Sequence, residues 1–365
     1  MRSMATDKDR RPQNAASFLE ELSGARNSFD TYSTEHANLQ DTETTATHPT
    51  IFVQIAAYRD PECQWTVKDL FEKAEHPERV FVGQCLQSDP QEDAHCDLIP
   101  SPRPGQTRTI RILPTDSLGV CWARAQTQTL FQDEDYVLMI DSHTRFIEGW
   151  DTALIAELGL CDSDKPVLST YPPSYIPPDN LEENPRPSAM ALKPVDEHER
   201  LRFRASILTE APERPLPGVF IAAGFIFTQG RFVREVPYDP WLYFRNEEIC
   251  LATRTYTHGW DVFSPSGIFI YHYYYVPTET EKRTLHWDDN TNWQDLTRQS
   301  EDRYQHLLCG KTEDLAPDAL KEIEKYGLGN ARTLEEYEAL CGINFADQTI
   351  EERAFEIFAG PEDRS

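Results

Sequence analysis

Three places in the sequence gather residue types that can do chemistry. The first is Asp141-Ser142-His143, directly after the apolar run Tyr136-Val137-Leu138-Met139-Ile140. An aspartate and a histidine two positions apart on extended chain point to the same side and together can hold one divalent ion. The same aspartate also reads as an ordinary cap or loop anchor that needs no metal. His272 ends a second candidate strand, Gly267–His272, and would face the same edge, although the Tyr271–Tyr275 cluster could simply pack it. Three ligands of mixed oxygen and nitrogen type suit Mn²⁺ better than Ca²⁺.

The second place is Glu247-Glu248 at the start of an expected helix. Carboxylates there gain about 0.3–1 kcal/mol from the helix dipole, which accounts for at least one of them. The other reading has one of them accept paired hydroxyl groups in a site. The third is a pair of arginines near strand ends, Arg59 and Arg124. In so acidic a chain an arginine is by default a surface ion pair of small worth, but beside a diphosphate it is a bidentate clamp. No Walker loop, GxGxxG, GxSxG or HExxH pattern occurs, so phosphate binding has to rest on metal and side chains. Cys121 and Cys250 fall inside expected helices and read as small buried apolar residues.

These residues need elements to position them. Ile51–Ala57 is an apolar run of the kind found in strands covered on both faces. Asp60 and Pro61 open a helix carrying Val67, Leu70, Phe71 and Ala74 at helical spacing, and a strand follows at Arg79–Gln84. That is a βαβ unit and implies a parallel sheet. The alternation continues with a helix at Leu118–Phe131, the strand ending at Asp141, a helix at Asp151–Leu160 and a strand at Pro166–Thr170. Pro172–Pro187 is too proline-rich for regular structure and is expected to be a long surface loop. Val219–Thr228 reads as a strand with Gly224 inside it, a sign of close approach by a ligand or backbone. Asn246 is placed as the cap of a helix running through Thr257 and stopped by Gly259.

The organisation expected is a flexible arm over 1–48, an α/β domain over 49–290 with a mostly parallel central sheet, and a helical appendix over 291–365. The 365 residues carry 35 basic and 62 acidic side chains, a net charge of −27. That field repels nucleic acid and anionic lipid. At 39% hydrophobic and 11% aromatic the chain has ample core material, and its longest apolar run, Gly218–Phe227, is about half a membrane span. With no secretory pattern and eight scattered cysteines, reduced thiols and a cytoplasmic location are expected.

In order along the chain, these segments resemble a known family. They are Ile51-Phe52-Val53-Gln54-Ile55-Ala56-Ala57-Tyr58-Arg59-Asp60-Pro61-Glu62, His76–Gly83, Gly119–Arg124, Asp141–Phe146, Ala222–Phe225, Asn246–Ile249, Thr257–Asp261, Tyr271-His272, Tyr326–Gly329 and Arg332–Glu335. The family is that of N-acetylglucosaminyltransferases related to the cytosolic enzymes that modify hydroxyproline on a ubiquitin-ligase adaptor. More distantly, the chain resembles the polypeptide N-acetylgalactosaminyltransferases. Asn246 stands where the family pattern usually has glycine.

The resemblance implies a GT-A, Rossmann-like α/β fold, with Asp141-Ser142-His143 in the place of the usual DXD motif and His272 completing a Mn²⁺ site. It implies UDP-N-acetylglucosamine (UDP-GlcNAc) as donor, a protein or glycan hydroxyl as acceptor, and retention to give an α-linkage. The donor would lie against Ala57, Tyr58, Arg59, Arg124, Ser142, Ala223 and Gly224, with Glu247, Glu248 and Arg124 nearest the chemistry. A metal-dependent hydrolase and a catalytically silent glycan- or protein-binding module are the other readings of the same residues.

Overall fold

The computed structural model describes residues 48–193, 201–275 and 283–358. The expected arm lies outside them, save His48. Strand β1 (Ile51–Tyr58) is buried along nearly its whole length, and α1 (Glu62–Lys73) carries the chain back to β2 (Val80–Gln87), parallel to β1. The expected βαβ unit is therefore present. Strand β3 (Thr107–Ile112) adds in parallel outside β2. It was not anticipated, because its alternation of polar and apolar residues is that of a half-exposed edge. The chain then returns through α2 (Val120–Gln128), and β4 (Tyr136–Asp141) pairs in parallel with the other side of β1. The direction of winding reverses between β1 and β4. At such a switch point a crevice opens outside the carboxyl ends of the strands.

After β4 come the short β5 (Thr144–Phe146), α3 (Trp150–Gly159) and β6 (Pro166–Ser169). The proline-rich stretch is not wholly irregular: β7 (Tyr175–Ile176) and β8 (Asn180–Leu181) form a small hairpin in it. Next are the antiparallel pair β9 (Ser188–Leu192) and β10 (Phe203–Ile207), then β11 (Leu216–Gly218) and β12 (Phe225–Gln229). The expected strand at 219–228 begins only at Phe225. Side chains take the earlier backbone donors, since Ala222 N–H meets Ser169 Oγ and Ala223 N–H meets Glu248 Oε1, both at 2.9 Å. Helix α4 (Glu247–Thr257), β13 (Asp261–Ser264) and β14 (Ile270–His272) complete the site-bearing part. Asn246 stands at the N-cap position of α4, but its side chain makes no capping hydrogen bond. It sits at φ +64° and its side chain donates to Glu301.

The main sheet has the order β11-β13-β6-β12-β4-β1-β2-β3, with only β11 and β12 running against the rest. It is a mostly parallel sheet covered on both faces. Leu138, Leu168 and Phe227 pack with α1 and α3, while their neighbours Met139, Val167 and Ile226 pack with α4 on the other face. Leu307 and Leu308 of α5 (Trp293–Cys309) and Tyr337 of α6 (Leu334–Cys341) join that second cluster. Beside the main sheet, β5 pairs antiparallel with β14, which sets His272 opposite Thr144. No helix among the described residues is long and apolar enough to cross a membrane.

One buried ion pair fixes α5 to the body. Arg303 is fully buried, with Nε 2.6 Å from Asp239 Oδ2 and Nη1 donating to the carbonyls of Ala319 and Lys321. Removing one partner of such a pair strands the other charge away from water. Arg303→Met should cost about 3–5 kcal/mol in urea unfolding. A loss under about 1 kcal/mol would mean that the pair contributes no net stability.

Candidate active site

Asp141 is the last residue of β4, and Ser142 and His143 form the link to β5. Thr66 of α1 pins that link, its Oγ1 lying 2.8 Å from Ser142 O and 3.0 Å from Thr144 O and accepting from Thr144 N–H. The β5–β14 ribbon then brings in His272. One ligand atom from each of Asp141, His143 and His272 lies within 4.8 Å of the others. His272 Nε2 is 3.1 Å from Asp141 Oδ2, and its Nδ1 is buried without a partner. Burial pushes the His272 imidazole below its ordinary value, outweighing the pull of Asp141 in the other direction. His143 gives Nδ1 to Asp60, which leaves Nε2 as its free nitrogen. One carboxylate and two imidazoles, one of them held by a carboxylate behind it, make a donor set that fits a divalent transition ion.

Asp60 was expected only as a helix cap. Its Oδ1 does accept from Glu62 N–H, but its Oδ2 accepts from Ser142 Oγ (2.5 Å), His143 Nδ1 (2.7 Å) and Arg283 Nη2 (2.9 Å). Burial raises the Asp60 carboxyl, but His143, Arg283 and these hydrogen bonds overcome it and hold the group well below the usual carboxylate range. Neither Asp60 nor Arg283 was picked out from the sequence as a site residue. Nothing in their spacing announces them.

Arg124 lies on α2 with its guanidinium buried between two acids. Nη2 is 2.6 Å from Asp141 Oδ1, and Nη1 is 2.5 Å from Glu247 Oε1 and 2.9 Å from Tyr238 Oη. Tyr238 also donates to Glu247. The structure thus separates the two glutamates. Glu247 is engaged in a buried ion pair, whereas Glu248 has no cationic partner among the described residues and accepts from Tyr171 Oη (2.6 Å) and Ala223 N–H. Burial pushes the Glu248 carboxyl up to about 7, against those two hydrogen bonds and with the charge of Glu247 adding to the rise.

These groups line a cleft of about 890 Å³ at the switch point. Of the expected donor-binding residues, Tyr58, Arg124, Ser142, Ala223 and Gly224 line it, as do both glutamates and the three candidate ligands. Ala57 and Arg59 do not. Strand alternation turns Ala57 into the core and presents Ala56 instead. Arg59 is drawn away by Asp93 (3.0 Å), Asp289 (3.1 Å) and Glu92 (3.4 Å). At Gly224 the close neighbour is a side chain rather than the ligand or backbone expected, since a Cβ there would sit 2.7 Å from Asp141 Oδ2.

A mostly parallel sheet with a carboxylate–imidazole cluster at its switch point defines a GT-A fold. The chain belongs to the Glycosyltransferase (GlcNAc) family, whose sequence profile matches residues 50–105 and 101–347. Among solved structures it is similar to GalNAc-T7 with UDP, GalNAc and Mn²⁺. That match has a TM-score of 0.55 and 13% identity, over 80% of this chain and 58% of that one. Two looser likenesses are Staphylococcus aureus (S. aureus) TarS 1-349 with UDP-GlcNAc (TM-score 0.40, 12% identity, 65% and 62% covered) and the mannosyltransferase PcManGT from Pyrobaculum calidifontis with GDP-Man and Mn²⁺ (0.42, 12%, 76% and 68%). The chain spans less than two thirds of the length of the GalNAc-T7 and TarS chains. No curated protein matches the sequence significantly.

Two outcomes are expected. Gly224→Ala should displace the Asp141 carboxylate, a movable side-chain end, and weaken Mn²⁺ binding about tenfold (about 1.4 kcal/mol) with little change in melting temperature; unchanged affinity would show that the close approach is unimportant. For Glu248 the sign follows from its raised value. The folded state keeps a proton that an unfolded glutamate releases near 4.3, so stability falls as pH rises from about 4.5 towards about 7 and is level above. Glu248→Gln lacks that loss, and its stability relative to wild type should climb across this window by up to about 3 kcal/mol. Parallel pH profiles for the two proteins would refute the raised value.

Proposed function

We propose that this chain is a Mn²⁺-dependent transferase that moves N-acetylglucosamine from UDP-GlcNAc to a hydroxyl group of a protein or glycan, with retention to give an α-linkage. The observation that carries the reading is the convergence of Asp141, His143 and His272 at the switch point. The family to which the chain belongs, and the UDP, GalNAc and Mn²⁺ named for GalNAc-T7, are in keeping with it. A relation to the hydroxyproline-modifying enzymes is part of the same proposal. So is a cytoplasmic location, which the eight unpaired cysteines support.

Breaking the bond between sugar and UDP leaves a diphosphate whose growing charge must be neutralised. A divalent ion held by Asp141, His143 and His272 supplies Lewis-acid stabilisation of that charge. The chain's own part is positioning. Arg124 holds Asp141 ionised and aimed at the cleft, while Asp60 turns His143 so that Nε2 faces outward. The missing side chain of Gly224 lets the Asp141 carboxylate lie close against it. Glu248, poised near neutral pH, can both accept from and donate to sugar hydroxyls. With retention, the leaving phosphate takes the acceptor's proton on the same face, so no protein nucleophile is assigned.

Release of UDP from a panel of UDP-sugars, with Mn²⁺ or with EDTA, tests the reading. UDP-GlcNAc should be the preferred donor, and EDTA should abolish turnover. Binding of sugar without turnover would instead favour a silent binding module, and water-dependent release of a non-sugar product a hydrolase. Asp141→Ala should abolish UDP release at saturating Mn²⁺. His272→Ala should raise the Mn²⁺ concentration for half-maximal activity by about tenfold or more, about 1.4 kcal/mol per decade. A variant that melts much earlier without metal yet keeps the wild-type Mn²⁺ requirement would make His272 a core residue.

A further inference from the structure

Glu247 is held by one of its two oxygens. Both of its strong donors, Arg124 Nη1 at 2.5 Å and the Tyr238 hydroxyl, fall on Oε1. The Cys121 thiol also lies near, but a thiol is a weak donor. Oε2 meets neither strong donor and is not sealed from solvent. Because Glu247 lines the cleft, the cleft is where that oxygen opens. The carboxylate is thus tied inside the protein at Oε1 and offered outside it at Oε2.

The tie depends on Tyr238, which nothing in the sequence singled out. Tyr238 is buried and does not line the cleft, so it touches no substrate itself. Its hydroxyl accepts from Arg124 Nη1 at 2.9 Å and donates to Glu247 Oε1, closing a ring of three groups. Burial pushes that hydroxyl well above its ordinary value, against the pull of Arg124, so it stays an O–H donor. A carboxylate on a single donor can turn about that contact, and an arginine readily takes both oxygens at once. Two donors from separate elements, α2 and the segment before α4, fix its plane instead. Tyr238 in turn has little freedom. Its N–H donates to Gln128 Oε1 at the end of α2 (2.8 Å), and its neighbour Asp239 is locked by Arg303.

We propose that Tyr238 is a positioning residue for the sugar of the donor, fixing Glu247 so that Oε2 stays turned to the cleft and accepts a hydroxyl of that sugar. The inference rests on the UDP-sugar reading above. Arg124 points to donor rather than acceptor. The guanidinium that ties Glu247 also holds the candidate ligand Asp141 at 2.6 Å, so Glu247 stands beside the place of the diphosphate, to which the sugar is joined.

Calorimetric titration of the full chain with UDP-GlcNAc and with UDP, in Mn²⁺, tests this, together with Mn²⁺ binding alone followed by electron paramagnetic resonance. Tyr238→Phe keeps the ring and removes only the hydroxyl. It should weaken UDP-GlcNAc binding about tenfold, while UDP and Mn²⁺ affinities stay within about twofold. Glu247→Gln should show the same selective loss. Adding Tyr238→Phe to it should cost at most about a further twofold, because the tyrosine acts through the carboxylate. Tyr238→His, with an N–H of shorter reach, serves the same comparison if the phenylalanine variant does not fold. Wild-type UDP-GlcNAc affinity in the Tyr238 variant or in Glu247→Gln would overturn the proposal and leave the transferase reading standing. An equal loss for UDP or for Mn²⁺ would overturn it too, reducing Tyr238 to a support for Arg124 and Asp141. So would fully additive losses in the double variant, since Tyr238 would then act elsewhere. Failure of the wild-type protein to bind UDP with Mn²⁺ would overturn both readings before any variant is compared.

Discussion

Arg124 sits inside the protein with its guanidinium shared between a carboxylate from the sheet, Asp141, and one from a helix, Glu247. Bringing acids together away from water is unfavourable twice over, through lost hydration and through mutual repulsion. One cation between two of them makes the gathering tolerable, and it also fixes where each points. Glu248, the third acid of the group, forms no ion pair with Arg124. Burial raises its carboxyl to about 7, against the hydrogen bonds from Tyr171 and Ala223, with Glu247 adding to the rise and Arg124 opposing it. The two adjacent glutamates thus differ in their partners, one meeting the arginine and the other a tyrosine hydroxyl and a backbone N–H. On the other side of Asp141, Asp60 repeats the arrangement in reverse, one buried carboxylate serving a histidine and an arginine.

The rest of the architecture keeps these charges in register. The winding reverses between β1 and β4, which exposes the end of β4 to the cleft, and the missing side chain of Gly224 lets the Asp141 carboxylate lie close against it. Thr66 ties the Asp141–His143 link to α1, so its two functional side chains are not on a free loop. The two-stranded ribbon of β5 and β14 imports His272 from a distant part of the sequence and sets it beside His143, ring centroids 4.7 Å apart. None of these devices is large. Each fixes one degree of freedom of the side chains at the candidate site.

What could be read from the sequence follows the range of the interactions involved. The placing of Asp141 and His143 together at the sheet edge was legible because a strand end and a two-residue spacing are local facts. The β1–α1–β2 unit and the parallel sheet were legible because apolar runs and helical periodicity are local too. His272 by spacing alone stayed ambiguous between ligand and packed histidine, and only the family resemblance joined it to the pair. Ala57 packs into the core by strand parity, and Ala56 is the residue turned to the cleft. Arg59 has the right place in the chain, but Asp93 and Asp289, far along the sequence, claim its guanidinium. Asp60 and Arg283 were invisible for the same reason, because their roles exist only once α1, the β4–β5 link and the segment at 283 meet.

The net charge of −27 gives this local arrangement its consequence. Under the UDP-sugar reading the donor is an anion approaching an anionic protein, so the long-range field does not steer it in. That field decays over about 8–10 Å at ordinary ionic strength. Capture must then come from short-range contacts inside the cleft, where the acids are already matched to cations: Asp141 and Glu247 to Arg124, Asp60 to Arg283. A bound divalent ion tips the local balance to positive while the surface stays acidic. The same surface disfavours polyanionic acceptors that would compete for a cationic cleft. An acidic exterior with charge-paired groups at the strand ends is therefore a coherent design for admitting one small anion and excluding large ones.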